Sequence, residues 1–230
     1  MTPKQQAVIF DWNGTLLADV RQSWVATNEA LALLGVPPIT LAWFQREYDM
    51  PLRGTYVRAG CDGAELDRRI NDVMATWSKR YEKDMDRLRL RRGAKGTLAF
   101  LAKQGYRAAI LSNHTVEIIS SHAQRLGIAH CFDEILANRS GEFKDVMHMA
   151  DKGKRLKAYI QRRNIRKALV VGDSAEEIEI AHHYGFLGVG ISGGYCSAER
   201  IRAARPDFMI SSLAEIPAFA HKVFNRGGSL

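Results

Sequence analysis

Four groups of residues in this chain could do chemistry together. The apolar run "AVIF" ends at Asp11, followed by Asn13, Gly14 and Thr15. "AAIL" ends at Ser112 and Asn113, and "ALVV" ends at Gly172, Asp173 and Ser174, with Glu177 close behind. Between the last two lies Lys152, at the start of a helical pattern. If the three runs are neighbouring strands, one site collects Asp11, Asp173 and Glu177, an ammonium, hydroxyls and turn amides. A carboxylate cluster of hard oxygens suits Mg²⁺. Serine, lysine and backbone N–H groups suit a phosphoryl group. Each group alone also has a plain reading: "DWNGT" as a turn, "GDSAEE" as a helix start capped by Ser174.

The elements around these residues make the shared site plausible physically. "LGVGI" before Ser192 and "FMI" before Ser211 are two further short apolar runs. Continuous apolar runs of this length suit strands buried on both faces. Helical patterns lie between them: "GTLAFLAKQG", "TVEIISSHAQRLG" with a threonine cap, and "AEEIEIAHHYG". Strands and helices alternating in this way predict an α/β fold with a doubly wound parallel sheet. In such sheets ligands bind outside the carboxyl ends of the strands, which is where the polar groups stand.

Residues 17–90 break the alternation. "RQSWVATNEALALLG", "TLAWFQREYDM" and "AELDRRINDVMATWSKRYEKDM" read as amphipathic helices, and only "TYVRA" resembles a strand. The expected organisation is an α/β core of residues 1–16 and 91–230 with an all-helical cap of residues 17–90 inserted in it. The tail "NRGGSL" reads as frayed.

Composition narrows the function classes. With 230 residues, 46% hydrophobic and 25% charged, the chain reads as one globular unit with a modest insertion. Cys61, Cys131 and Cys196 are odd in number and far apart, so reduced core residues are expected, not a disulfide or zinc framework. No run reaches the roughly 20 apolar residues of a membrane helix, and no targeting segment is read; a cytoplasmic protein is expected. The net charge of +8 comes largely from "DKGKRLKAYIQRRNIRK". There Leu156, Tyr159 and Ile160 form an apolar stripe, which leaves the basic residues on a solvated face. A nucleic-acid partner is therefore not expected, while a basic surface favours small anionic substrates.

"FDWNGTL", "ILSN", Lys152 and "VGDSAEE" resemble, in order and spacing, the four motifs of the haloacid dehalogenase superfamily. The chain is most similar to the phosphoglycolate-phosphatase-like branch, with a helical cap after the first motif. The resemblance implies an Mg²⁺-dependent phosphatase acting on a small phosphorylated metabolite, as a monomer or homodimer. Asp11 is then the nucleophile that forms an aspartyl phosphate. Asp11, the Asn13 carbonyl, Asp173 and, through water, Glu177 hold the metal, with Glu177 in place of the more usual aspartate. Ser112 and Lys152 hold the phosphoryl oxygens, and Thr15 and Asn113 orient the loop. Lys144, Lys154 and Lys157 also lie near the third motif; Lys152 is preferred because it leads the pattern Leu156, Ile160, and Lys154 comes next. Arg53, with Arg58, is a candidate to hold an anionic substrate tail from the cap.

One residue departs from the resemblance. The phosphatases of this family carry an aspartate where Asn13 stands, to protonate the leaving oxygen and then deprotonate water. An amide cannot relay a proton, and losing general acid–base help costs about 10²- to 10⁴-fold. This implies a slow enzyme, a preference for leaving groups that need little protonation, or a substitute such as His114 or His148. It also leaves open a catalytically impaired relative that binds a phosphometabolite or a partner. Dehalogenase and phosphonatase chemistries fit less well: Asp173 and Glu177 argue for a metal, and Arg53 cannot form a Schiff base.

Overall fold

The computed structural model describes residues 2–139 and 151–225. In chain order the elements are β1 (Gln6–Phe10), α1 (Val20–Leu33), α2 (Leu41–Glu47), α3 (Arg53–Arg58), α4 (Gly63–Arg68), α5 (Ile70–Glu82), α6 (Ala94–Gln104), β2 (Arg107–Thr115) and α7 (Val116–Arg125). They continue with β3 (Glu134–Asn138), α8 (Lys152–Arg163), β4 (Lys167–Gly172), α9 (Ala175–His183), β5 (Leu187–Ile191), α10 (Ala198–Ala203), β6 (Phe208–Ile210) and α11 (Ile216–Asn225).

Among the described residues one sheet forms, all parallel, in the order β3-β2-β1-β4-β5-β6. The order reverses beside β1, so the crevice between β1 and β4 is the place where an open parallel sheet binds ligands. Alternate residues of β1 serve opposite faces. Val8 and Phe10 join Leu98 and Leu101 of α6 and Ile119 of α7, whereas Ala7 and Ile9 join Leu156 and Tyr159 of α8 and Ala181 of α9. Burying each such large side chain contributes roughly 1.5–3 kcal/mol, which is why apolar runs without polar alternation make these strands. A third cluster, built on Ala30, Leu31, Leu66 and Val73, lies wholly within residues 17–90.

Three local expectations need correction. "TYVRA" is not a strand; Thr55, Tyr56, Val57 and Arg58 belong to α3. The long pattern after Ala64 is two helices broken at Arg69, whose guanidinium donates to the Leu33 carbonyl at the end of α1 (2.9 Å). Thr115 stands at the N-cap of α7, but its side chain makes no capping bond. β3 was not foreseen: it is a partly exposed edge strand with a short, weak apolar signal. No described helix is long and apolar enough to cross a membrane. The tail from residue 226 lies outside the described residues.

Candidate active site

The backbone sets Asp11 at the crevice. Its N–H donates to the Val171 carbonyl of β4 (2.8 Å), the last rung before both strands end. The chain then folds back at once: the N–H groups of Leu16 and Leu17 both donate to the Trp12 carbonyl (3.0 and 2.9 Å). Gly14 makes this turn with φ of +73°, a conformation that glycine adopts without steric cost. A Cβ at Gly14 or at Gly194 would also run into the Asp173 carboxylate. Asp173 is thus held between two bare backbone segments, with Oδ2 accepting from the Tyr195 N–H (2.5 Å) and Oδ1 from the Thr15 hydroxyl (3.3 Å).

Lys152 begins α8 and is almost fully buried, at 4% exposure. Its ammonium contacts Asp11 Oδ1 (2.8 Å), Glu176 Oε2 (3.2 Å) and Glu177 Oε1. Burial opposes its charge, but Asp11, Glu176 and Glu177 outweigh burial and hold the lysine well above its ordinary range. Lys154, two residues on, is exposed and pairs with Asp151 (2.9 Å). The structure therefore brings Lys152, not Lys154, to Asp11; Lys144 and His148 lie outside the described residues. The basic run is not uniformly solvated. Arg155 also turns inward, donating to the Ser112 carbonyl (3.0 Å), Asn113 Oδ1 (3.2 Å) and Asn138 Oδ1 (2.6 Å).

Ser112 and Asn113 lie where β2 slips register against β3 between Leu111 and Thr115. Such irregularities re-aim side chains beside sites. Ser112 Oγ accepts from the His114 N–H (3.1 Å), and Asn113 Nδ2 donates to Glu176 (3.0 Å). Glu177 is buried against Lys152 and the Ser174 hydroxyl (2.6 Å to the latter). Ser174 also caps α9 by accepting from the Glu176 N–H (3.2 Å).

Asn13 faces a different way. Its amide donates to Asp19 Oδ2 at 2.6 Å and approaches the Tyr81 hydroxyl at 3.2 Å. Asp19 is fully buried and also accepts from the Gly14 N–H (2.8 Å), the Tyr81 hydroxyl (2.6 Å) and the Tyr195 hydroxyl (3.0 Å). Burial raises its pKa, opposed by the bonds from Tyr81, Asn13, Gly14 and Tyr195. Asp19, Tyr81, Tyr195, Glu176, Arg155 and Arg91, which donates to the Gly14 and Ser192 carbonyls, were not singled out in the sequence. Asp19 carried a signal, as an acid just after the first motif. Glu176 carried another, as the neighbour of Glu177. Tyr81 and Tyr195 carried none, because only the fold joins them.

A cavity opens over these groups. Asp11, Asn13, Ser112, Asn113, Lys152, Asp173 and Glu177 line it together with Phe44, Tyr48, Met50, Leu52, Met74 and Trp77. Arg53 does not line it: its guanidinium is held by Asp67 through two 2.9 Å bonds on α4. Arg58 is likewise paired, with Glu47 (3.3 Å).

The cluster has an excess of negative charge. Asp11, Asp173, Glu176 and Glu177 surround one ammonium. Burial pushes Asp11 well up; Lys152 opposes this, and Glu177 and Asp173 push it further. Asp173 is pushed up to about 7, by burial and then by Glu177. A divalent cation would relieve that excess, and Mg²⁺ needs only one or two carboxylates plus waters. Among the described residues no group of three acidic, histidine or cysteine side chains is arranged to hold a metal by itself, and Lys152 engages Asp11 and Glu177. The donor set therefore suits Mg²⁺ through Asp11 and Asp173 and does not form a closed all-protein cage.

The comparisons with known proteins agree with this arrangement. Residues 5–185 match the family model of haloacid dehalogenase-like hydrolases. A phosphoglycolate phosphatase of Vibrio vulnificus is 27% identical over 226 residues, covering 91% of this chain and 93% of that protein. One from Pseudomonas putida is 25% identical over 213 residues, covering 90% and 76%. Among solved structures, a haloacid dehalogenase-like hydrolase from Streptococcus pneumoniae superposes with a TM-score of 0.72 at 19% identity, covering 93% and 97%. CbbY from Rhodobacter sphaeroides, in complex with phosphate, superposes with a TM-score of 0.69 at 21% identity, covering 91% and 95%. With four motifs gathered at the reversal of a parallel sheet and a family match over most of its length, the chain belongs to the haloacid dehalogenase-like hydrolases.

Proposed function

We propose that the protein is an Mg²⁺-dependent phosphatase that hydrolyses a small phosphomonoester through an aspartyl phosphate on Asp11. The observation that carries this reading is the contact of Asp11 Oδ1 with Lys152 Nζ (2.8 Å) in the cavity. Asp11 would attack phosphorus, breaking the bond from phosphorus to the ester oxygen; the leaving alkoxide takes its proton from solvent water and departs as the alcohol. Water would then attack the aspartyl phosphate, releasing inorganic phosphate and restoring the carboxylate. Lys152 and Ser112 would hold the phosphoryl oxygens, stabilising charge that grows in the transition state. Asp11, the Asn13 carbonyl, Asp173 and Glu177 through water would hold Mg²⁺, which when bound supplies charge neutralisation between nucleophile and phosphoryl group. Thr15, through its bond to Asp173, and Asn113, through its bonds to Glu176 and Arg155, would be positioning residues.

The phosphoglycolate phosphatase names of the relatives and the phosphate in the CbbY complex support a phosphorylated substrate. We read residues 1–16 and 91–230 as the catalytic core and 17–90 as a helical cap, supported by the separate apolar cluster of that segment.

Turnover is expected to be slow. No proton can pass through the Asn13 amide, which is directed at Asp19. Loss of acid–base help of 10²–10⁴-fold corresponds to about 3–5 kcal/mol of barrier. The same observation favours a second reading, a binding protein that has lost turnover. Phosphate release from a panel of phosphomonoesters with Mg²⁺ decides between them: release that requires Asp11 supports the phosphatase, and no release from any ester favours the binding protein.

A further inference from the structure

We propose, resting on the phosphatase reading, that the substrate is the phosphate ester of a neutral, apolar alcohol rather than of a carboxylate-bearing or doubly phosphorylated one. The cavity that holds Asp11 is lined from residues 17–90 mainly by Phe44, Tyr48, Met50, Leu52, Met74 and Trp77, with Ser23, Thr27, Thr55 and Tyr56 among them. A leaving alcohol must lie against this surface once its phosphoryl group meets Asp11, Ser112 and Lys152. The surface offers flat rings and two thioethers, which bind apolar or aromatic groups by area and ring contact.

A second anion on the substrate would need a cation there. Among the described lining residues Lys152 is the one basic side chain other than histidine, and it already meets three carboxylates. The arginines near the cavity are engaged elsewhere, Arg155 among them, on the Ser112 carbonyl, Asn113 and Asn138. Arg53 is held by Asp67, Arg58 by Glu47, and Arg200 by the Tyr48 carbonyl. Arg91 donates to the carbonyls of Gly14 and Ser192 (2.6 Å each). The hydroxyls on the cap side are used internally as well: Thr27 bonds Tyr56, Ser23 bonds Tyr195, and Thr55 accepts from the Asp49 N–H (2.9 Å). A carboxylate placed here would lose its water without gaining a partner, beside the carboxylates of Glu176 and Glu177.

The test compares 2-phenylethyl phosphate with phosphoglycolate on the full chain with Mg²⁺, both being unactivated alkyl esters. Binding is measured by calorimetry and turnover by phosphate release. The inference predicts that the phenylethyl ester is preferred by about 100-fold or more in kcat/KM, a ratio that an apolar pocket can supply. Leu52→Lys should narrow that preference by raising turnover of phosphoglycolate. Trp77→Ala should weaken the phenylethyl ester by a clearly larger factor than it weakens inhibition by inorganic phosphate, and equal weakening of both counts against the inference. Equal or better use of phosphoglycolate overturns the inference and leaves the phosphatase reading standing. If neither ester turns over, binding alone decides the inference, while the phosphatase reading stands or falls on the wider ester panel: tighter binding of the phenylethyl ester supports the apolar pocket, and no preference overturns it.

Discussion

The Asn13 side chain donates to Asp19 Oδ2 at 2.6 Å, inside a buried group that also holds the hydroxyls of Tyr81 and Tyr195. The amide occupies the place of a protonated acid that can never give up its proton. It keeps its donor hydrogens at any pH, and it can neither protonate a leaving oxygen nor accept a proton from water. Tyr81 comes from α5 and Tyr195 from the loop after β5, so the acid at the end of the first motif ties the helical segment to the sheet.

Asn13→Asp places two carboxylates about as close as the present pair. Like charges at that distance cannot both ionise without one pKa rising strongly. The expected result is a gain of about 10²-fold or more in kcat. It should come with a new ionisation in the pH–rate profile above the usual carboxylate range. Adding Asp19→Asn should return that ionisation toward ordinary values. No gain in kcat would mean that the amide is not what limits the enzyme.

Asp19→Ala leaves two buried hydroxyls, an amide and the Gly14 N–H without their acceptor. Stranded buried donors cost about 1–3 kcal/mol each, partly recovered by relaxation and water. Urea unfolding should show a loss of about 3 kcal/mol or more, with Asp19→Asn costing less. A loss under about 1 kcal/mol would show that the network is dispensable.

Lys152→Met removes the one cation among Asp11, Glu176 and Glu177. Loss of a single donor to developing charge costs about 10²–10³-fold, and kcat should fall by at least that much. Lys154→Met removes only an exposed pair with Asp151, worth about 0–1 kcal/mol, and kcat should stay within about twofold. Reversal of the two results would reassign the third motif to Lys154.

His114 is buried, and its pKa is lowered to about 3, by burial first and then by His122. Because the folded pKa lies below the unfolded value of about 6.5, the unfolded chain takes up a proton first as pH falls. The neutral imidazole is therefore accommodated at full stability above about pH 6.5, and stability is lost progressively below it, toward about pH 3. The slope attributable to His114 approaches about 1.4 kcal/mol per pH unit. Other groups also titrate in this range, so the comparison is between the wild type and His114→Gln: the variant should lack that part of the loss. Parallel pH profiles would show that His114 is not held neutral by burial. The same burial makes it an unsuitable stand-in for the missing acid.

Much of this was readable from sequence for a physical reason. β1, β2, β4 and β5 are buried on both faces, so their apolar runs had no polar alternation, and their ends marked the site. Asp11, Ser112, Lys152 and Asp173 line one cavity because each sits at a strand end or helix start whose position the parallel topology dictates. What sequence could not give depends on contacts made through space. Arg53 was expected near the substrate by its place in the cap loop, yet Asp67 on the next helix captures it. The contacts of the Glu177 carboxylate with Lys152 and Ser174 likewise join residues that are distant or merely close in the sequence. Tyr81 and Tyr195 are 114 positions apart (195 minus 81) and meet only at Asp19. β3 escaped notice because an edge strand needs fewer apolar residues than a central one.

The central claim is that Asp11 carries the phosphoryl group. The most direct measurement is mass spectrometry of acid-quenched protein after mixing with a phosphomonoester and Mg²⁺. With an ester whose leaving group needs no protonation, such as an aryl phosphate, only the water-activating second step lacks its base, so the phosphorylated form should accumulate. The account predicts one phosphoryl group on the peptide containing residues 7–19, and none in Asp11→Asn. An unmodified Asp11 peptide during steady turnover, with Asp11→Asn releasing phosphate as fast as the wild type, would contradict it.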